Sequence, residues 1–289
     1  MSPLWRDEVL IGLAPGRLEL VRRGRGWKPA VEHAALVDVV PARGGDSDWA
    51  PGMAALALAL SDPCWQRAQC RIVLSNHHVR FALIDAPAEL DGDEERSAFV
   101  DLRYRAIYGD RAEAWQTTFA PFGAGTRTIA GAVDSALLDA LRECAGAARL
   151  SLTSAQPYLV AAFNRVCDQV RGENAWFVTV EDGRIGMAAF TQDRLAGIRS
   201  EPLRGDIGES IASLLVQDAL ARELVDVDCR AFICAPGWQG PLVAPGPGWT
   251  LQRVGEPDSV PKQAGQATPG PAMQVDPARY PLTFMAAVA

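Results

Sequence analysis

The chain has 289 residues, of which 48% are hydrophobic and 22% are charged, and its formal net charge at pH 7 is -7. This length and composition predict a globular protein with a sizeable core and exclude a wholly disordered chain. The negative net charge argues against nucleic acid as the main partner, because binding to a phosphate backbone requires a basic surface.

The same sequence predicts a soluble protein that is not exported and remains in the cytoplasm. The N-terminus carries acidic residues where a signal peptide needs a basic region and an apolar core. The nearest approach to a membrane span, Met53–Leu60, is too short to cross a bilayer. The six cysteines form no C-x-x-C pair and have no zinc-ligand spacing with the three histidines, so we expect free thiols.

Two β-hairpins are the clearest local signals. Pro15-Gly16 separates two apolar runs within residues 9–21, and Asp182-Gly183 separates two others within residues 176–190. Dipeptides of this kind form the tight turns between antiparallel strands. Because the same unit opens each half of the chain, we expect two related domains.

The elements between the hairpins alternate between strands and helices. In chain order the sequence predicts one or two strands within 26–40, a helix at 53–60, strands within 70–85, a helix at 91–108, a strand at 115–121, a helix from 129 to 146, a strand at 149–152 and a helix from 154 to 170. The apolar face of the helix at 91–108 is expected to consist of Phe99, Leu102 and Ile107, with Tyr104 out of phase. The next helix rests on Ile129, Val133, Leu137 and Leu141, which recur every four residues.

A polar loop, Ser75-Asn76-His77-His78, lies between the strands predicted within 70–85. The adjacent histidines of an extended segment point to opposite faces and do not readily share a metal ion, so a structural role is favoured over metal binding. A hydrolase that uses Ser75 with His77 or His78 is a weaker hypothesis, because no G-x-S-x-G turn is present.

After the second hairpin, the sequence predicts a strand at 194–203, a helix at 207–224 and strands at 230–235 and 249–254. Beyond Gly255, proline, glycine and glutamine predict a flexible tail without a core of its own. The tail becomes apolar again at 280–285, and this end is expected to dock either on the body of the protein or on a partner.

This order of elements, with the blocks RIVLSNHHVRFALID, WQTTFAPFG and AGAVDSALLDALRECAG, resembles the actin-like cytoplasmic assembly proteins of type IV pili and type II secretion, the PilM and GspL kind. The resemblance covers roughly residues 8 to 255. It implies an α/β, actin-like (ribonuclease H-like) two-domain fold, with domains at residues 1–153 and 154–255 and a Pro/Gly-rich flexible tail at 256–289. It also implies a scaffold at the cytoplasmic face of the inner membrane that binds a bitopic membrane protein, PilN-like or GspM-like.

In nucleotide-binding members of this family, both hairpin turns contact phosphate through small residues, a hydroxyl group and an aspartate that orients Mg²⁺. The present first turn has Pro15, which lacks an N–H donor, no hydroxyl residue, and an apolar residue near the position of the aspartate. The second turn places Glu181 and Asp182 where phosphate oxygens would approach. If a nucleotide binds, the resemblance assigns it to Gly12, Gly16, Arg17, Glu181, Asp182, Gly183 and Gly237.

We therefore expect a non-catalytic scaffold that needs no cofactor. The alternative is an ATP-binding or weakly ATP-hydrolysing enzyme of the same fold, in which Glu181, Asp182 and Asp206 hold magnesium.

Overall fold

The computed structural model describes residues 7–24, 30–40, 48–85, 87, 90, 92–120, 127–224, 227–255 and 276–286. Its backbone contacts divide the chain into two compact units. Unit 1 contains Met1–His78, Ala136–Arg165 and Gly255–Ala289, and unit 2 contains Val79–Ser135 and Val166–Val254. The domain boundaries at residues 153 and 255 stay a prediction, and residues 256–275 of the expected tail lie outside the part of the chain described.

Unit 1 is built on a five-stranded sheet with the order β3-β2-β1-β4-β8. The strands are β1 Glu8–Ala14, β2 Arg17–Arg23, β3 Val31–Asp38, β4 Gln69–Leu74 and β8 Ser151–Pro157. The hairpin strands β1 and β2 are antiparallel, whereas β4 runs parallel to both β1 and β8. Nearly all residues of β1 are buried, as expected for a strand covered on both faces of its sheet.

Helices cover both faces of this sheet. They are α1 Ala50–Leu60, α3 Ser135–Ala147, α4 Tyr158–Val166 and the short α6 Pro281–Ala286. Leu13 contacts α1, since a Cβ built on Gly52 would lie 2.8 Å from the Leu13 Cδ1 atom, and the neighbouring Gly12 faces α6. Successive residues of a strand point to opposite faces, so α1 and α6 lie on opposite sides of the sheet.

Unit 2 contains a second five-stranded sheet, with the order β11-β10-β9-β12-β13. Its strands are β9 Asn174–Glu181, β10 Arg184–Thr191, β11 Arg194–Pro202, β12 Cys229–Cys234 and β13 Trp249–Arg253. The helix α5 Ile207–Ala221 packs on it through Ile211 and Leu215, which join Trp176 in one core cluster. The antiparallel hairpin and the parallel third strand repeat the plan of unit 1, which confirms the repetition predicted from the two turns.

A three-stranded antiparallel sheet completes unit 2, in the order β5-β7-β6. Its elements are β5 Val79–Asp85, β6 Trp115–Phe119, β7 Arg127–Asp134 and the helix α2 Asp93–Tyr108. Strand β7 corrects the helix predicted from Ile129, because this segment pairs with both neighbouring strands and helix begins only at Ser135. The four-residue spacing of Ile129 and Val133 imitates a helix, while small residues between them fit a central strand.

Two further predictions were wrong. In α2 the buried residues are Val100 and Tyr104, whereas Leu102 and Ile107 are exposed, so the helix faces its sheet in a different phase. Tyr104 is held in place because its hydroxyl donates to the Arg80 carbonyl oxygen over 2.7 Å. Residues 154–157, predicted to begin a helix, continue strand β8 instead, since each pairs with β4.

The described helices include none with the length and hydrophobicity that a bilayer crossing requires. None of the six cysteines, all of which lie among the described residues, forms a disulfide bond.

Candidate functional site

The first hairpin turn joins β1 to β2 through Pro15 and Gly16. Its surrounding backbone groups are engaged by other parts of unit 1: the Gly16 carbonyl oxygen accepts from the Val39 N–H over 3.0 Å, and the Leu13 carbonyl oxygen accepts from the Ser75 N–H over 2.8 Å. Among the described residues, no atom lies within 4 Å of a Cβ atom built on Gly16. The turn thus has open space beside Gly16, and Pro15 offers no N–H to a phosphate.

Gly12 lies in the middle of β1 and pairs with Glu19 of β2. A Cβ atom on Gly12 would lie 2.6 Å from the Leu282 Cβ atom and 3.1 Å from the Glu19 Oε2 atom. Only glycine permits so close an approach of α6 to the sheet. The structure therefore gives Gly12 a packing role, and its contact with a nucleotide stays a prediction.

Glu19 is fully buried, although the sequence places it on the alternating polar face of β2. Its Oε2 atom accepts hydrogen bonds from the Thr283 N–H over 2.9 Å and from the Thr283 hydroxyl over 3.1 Å. Burial raises the pKa of this carboxyl from 4.5 to about 7, against the opposing effect of the bonds from Thr283 and Leu282 and of the Arg17 charge. Glu19 is thus a carboxyl group that changes charge near neutral pH.

Two arginines hold the other end of α6. The Arg165 Nη1 atom donates to the Phe284 carbonyl oxygen over 3.0 Å, and its guanidinium lies 4.0 Å from the centre of the Phe284 ring. The Arg71 Nη1 atom donates to the Ala286 carbonyl oxygen over 3.3 Å. These bonds satisfy carbonyl groups that a short helix leaves unpaired at its C-terminus. The apolar end of the tail therefore docks on the body, which is one of the two outcomes the sequence left open.

The second hairpin turn, Glu181 to Arg184, belongs to unit 2. Gly183 has a φ of +70°, a conformation that favours glycine at this position of the turn. Arg184 is directed along its sheet, since its Nη1 atom donates to the Ser200 carbonyl oxygen over 3.3 Å and to the Ser200 hydroxyl over 3.1 Å. Partial burial lowers the pKa of this guanidinium. The matching cation of the first turn, Arg17, lies at the start of β2 in unit 1.

Gly237 lies in the loop that follows β12, and this loop is folded around Trp238. The Arg253 Nη1 atom donates to the Trp238 carbonyl oxygen over 2.6 Å, its Nη2 atom donates to the Gly240 carbonyl oxygen, and its guanidinium lies 4.6 Å from the centre of the Trp238 ring. Trp238 itself packs against the core of unit 2. The loop that contains Gly237, one of the candidate nucleotide residues, is therefore ordered by contacts within the protein.

The polar loop after β4 has a structural role. Asn76 is buried, and its Oδ1 atom accepts from the Leu159 N–H over 3.0 Å, which satisfies a donor of the first turn of α4. Ser75 is also buried, and its hydroxyl oxygen accepts from the His77 N–H over 3.2 Å. Within the described part of the chain, no group of three or more histidine, cysteine, aspartate or glutamate residues is arranged to hold a metal ion.

The candidate nucleotide residues fall into two groups. Gly12, Gly16 and Arg17 belong to unit 1, while Glu181, Asp182, Gly183 and Gly237 belong to unit 2. Sequence reasoning missed Glu19, Arg71, Arg165 and Thr283, the residues that hold α6. For Glu19 a signal was present: β1 is a continuous apolar run, typical of a sheet covered on both faces, so a residue paired with its centre must also be buried.

Several solved structures are similar to this chain over most of its length. A chain of the PilM-PilN type IV pilus biogenesis complex is 15% identical, with a TM-score of 0.59 over 88% of the present chain and 89% of that chain. The cytoplasmic domain of EpsL, an inner-membrane component of the type II secretion system of Vibrio cholerae, is 11% identical, with a TM-score of 0.55 over 86% and 87% of the two chains.

A third similar structure, from Bacteroides thetaiotaomicron, is described as having an actin-like ATPase fold and unknown function. It is 12% identical, with a TM-score of 0.55 over 80% of the present chain and 82% of its own. No family model matches the chain, and the comparison with curated protein sequences found no significant match. The chain therefore has the actin-like, two-domain α/β fold, which it shares with a chain of the PilM-PilN complex and with the cytoplasmic domain of EpsL, as the resemblance in its sequence implies.

Proposed function

We propose that this protein is a non-catalytic actin-like scaffold in a type IV pilus or type II secretion-like assembly. In this role it stays in the cytoplasm and reaches the inner membrane by binding the cytoplasmic N-terminal peptide of a bitopic protein, PilN-like or GspM-like. The observation that carries the proposal is the structural similarity, over more than four fifths of both chains, to a chain of the PilM-PilN complex and to the cytoplasmic domain of EpsL.

The chemistry of the first hairpin turn supports a scaffold over an ATPase. Pro15 removes a backbone donor, Ala14 carries no carboxylate, and the Gly12 side of β1 packs against Leu282. Nucleotide phosphates need several convergent N–H or hydroxyl donors and a hydrated Mg²⁺ held by carboxylates. We infer that the protein works without nucleotide, and ATP binding is the alternative that the experiments must address.

The partner peptide is proposed to add to the unit 1 sheet at its β3 edge, the edge opposite β8. Strand β3 lies at that edge, and its residues Glu32, His33 and Ala34 are exposed. An extended peptide gains main-chain hydrogen bonds when it joins such an edge, and side-chain pockets then give specificity. Amide hydrogen exchange tests this step: binding should slow exchange in β3 but not in β13, an edge strand of unit 2. Slowing in β13 with β3 unchanged would place the peptide elsewhere.

Co-isolation from membranes tests the function itself. The tagged protein, expressed in its native host, should sediment with inner membranes and co-purify with one bitopic protein of a pilus or secretion system. Deleting only the cytoplasmic N-terminal peptide of that partner should return the protein to the soluble fraction. The proposal fails if the protein remains soluble and alone in cells that make the complete assembly.

A further inference from the structure

The contact between the C-terminal segment, defined here as Asp276–Ala286, and the sheet of unit 1 centres on Glu19. This contact joins residues 264 positions apart in the chain. The Leu282, Thr283 and Phe284 side chains are buried against strands β1, β2 and β4. Removal of the segment would therefore expose Glu19 and the Gly12 side of β1 together.

Among the described residues, no cationic side chain donates a hydrogen bond to this carboxyl group. Every donor to it in the described part of the chain is uncharged: the Thr283 N–H and hydroxyl bond to its Oε2 atom, and the Leu282 backbone N–H also favours its ionised form. Its neighbours across the sheet are Gly12 on β1 and Leu36 on β3, and the residues of α6 carry no ionisable side chain. The charge that does act on it is Arg17, two residues earlier on β2.

We propose that the C-terminal segment is a proton-coupled latch, which docks on the sheet of unit 1 when the Glu19 carboxyl group is protonated and is released when that group ionises. A neutral carboxyl group still accepts both hydrogen bonds from Thr283. An ionised group in the same place has lost its hydration without gaining a hydrogen bond from a cation, and this costs far more free energy. Undocking restores water to the group and relieves that cost.

The direction of the pH effect follows from the two states. In the docked state the Glu19 pKa is about 7, and on an exposed strand it returns towards 4.5. Docking therefore takes up a proton between these two values. The segment binds most tightly at acidic pH, its binding weakens as the pH rises through this window, and the effect levels off above about pH 7.

The test uses the complete chain with a recognition site for a sequence-specific protease inserted between residues 256 and 275. After cleavage, the fluorescently labelled C-terminal piece is held only by its docking contacts, so anisotropy on dilution gives its dissociation constant. We expect this constant to rise by on the order of tenfold between pH 5.5 and pH 8. A constant that does not change with pH, or a piece that dissociates completely at pH 5.5, would overturn the proposal.

Three variants make the assignment to Glu19 specific. Glu19→Gln keeps an acceptor for Thr283 but has no ionisable proton, so it should bind tightly and equally at both pH values. The labelled piece with Thr283→Val should bind more weakly at each pH and keep the pH dependence. Because this substitution lies on the labelled piece, it does not disturb the rest of the chain. Asp276→Asn should behave like the parent chain. If Glu19→Gln retains the pH dependence, or Asp276→Asn removes it, Glu19 is not the group responsible.

Discussion

Each unit buries one carboxylate among its described residues, and the two are compensated in different ways. In unit 2, Asp218 accepts from the Trp176 indole N–H over 2.8 Å and from the Arg222 Nε atom over 2.6 Å, and its other oxygen lies 3.2 Å from the Arg199 Nε atom. In unit 1, the described donors to Glu19 are all uncharged, chiefly the N–H and hydroxyl of Thr283. The two arginines stabilise Asp218 in its buried position. Glu19 has no such ion pair in the described part of the chain, so its contact with α6 depends on pH.

The largest effect is expected for Asp218→Ala. This change leaves Arg199, Arg222 and the Trp176 N–H without their shared acceptor, so the free energy of unfolding should fall by about 3–5 kcal/mol. Denaturant unfolding measures the loss. Asp139→Ala is the matched control, because Asp139 and Arg142 form an exposed pair and should contribute less than about 1 kcal/mol. Equal losses in the two variants would contradict the role given to Asp218.

Gly12→Val tests the close approach of α6 to strand β1 in unit 1. The added atoms overlap Leu282 and should destabilise the protein by about 1–3 kcal/mol, with the C-terminal segment becoming the first site of limited proteolysis. Gly16→Ala on the same hairpin has open space and should leave both measurements unchanged. A segment that stays protected in Gly12→Val would show that α6 does not depend on this glycine.

Glu19→Gln tests whether the stability of the protein depends on pH through Glu19. The raised pKa of Glu19 means that its contribution to stability is complete below pH 4.5 and is lost as the pH rises to about 7. Relative to the parent chain, the variant should therefore gain roughly 2 kcal/mol of unfolding free energy across this window. Thermal unfolding at several pH values gives the difference, and a constant difference between the two proteins would refute it.

The smallest effect concerns Arg165→Met, which keeps an apolar stem but loses the bond to the Phe284 carbonyl oxygen and the contact with its ring. Docking of the C-terminal segment should weaken by about 1 kcal/mol. The cleaved-chain anisotropy experiment reports this change at a single pH. Arg171→Met is the control and should leave docking unaltered, because the described contacts of this exposed arginine are not with α6 but with its near neighbours Cys167, Asp168 and Val170.

The repeated hairpins could be predicted because their turns are local. Pro15-Gly16 and Asp182-Gly183 impose a turn on the chain whatever surrounds them, and the apolar runs on either side then form the paired strands. The segments whose predicted structure was wrong are those whose conformation depends on tertiary contacts. Ile129 and Val133 have a spacing that suits either a helix or a strand, and only the neighbouring strands β5 and β6 decide between them.

The anchor of the C-terminal segment could be predicted only in part. The apolar end of the tail predicted docking on the body or on a partner, whereas the burial of Glu19 was missed, although the apolar run of β1 carried a signal for it. Their pairing was not readable, because residues 264 positions apart leave no periodic pattern in a single sequence. The candidate nucleotide residues of both units remain predictions. They were assigned from the family resemblance, because neither hairpin turn contains a phosphate-binding motif with hydrogen-bond donors of its own.

The central claim, that the protein binds a partner peptide and not a nucleotide, is tested most directly by titration calorimetry on the purified full-length chain. The cytoplasmic N-terminal peptide of the co-isolated bitopic protein and ATP with Mg²⁺ are injected in parallel at high protein concentration. We predict saturable heat from the peptide and none from the nucleotide. Saturable heat from ATP with Mg²⁺, with none from the peptide, would contradict the claim and favour the actin-like enzyme.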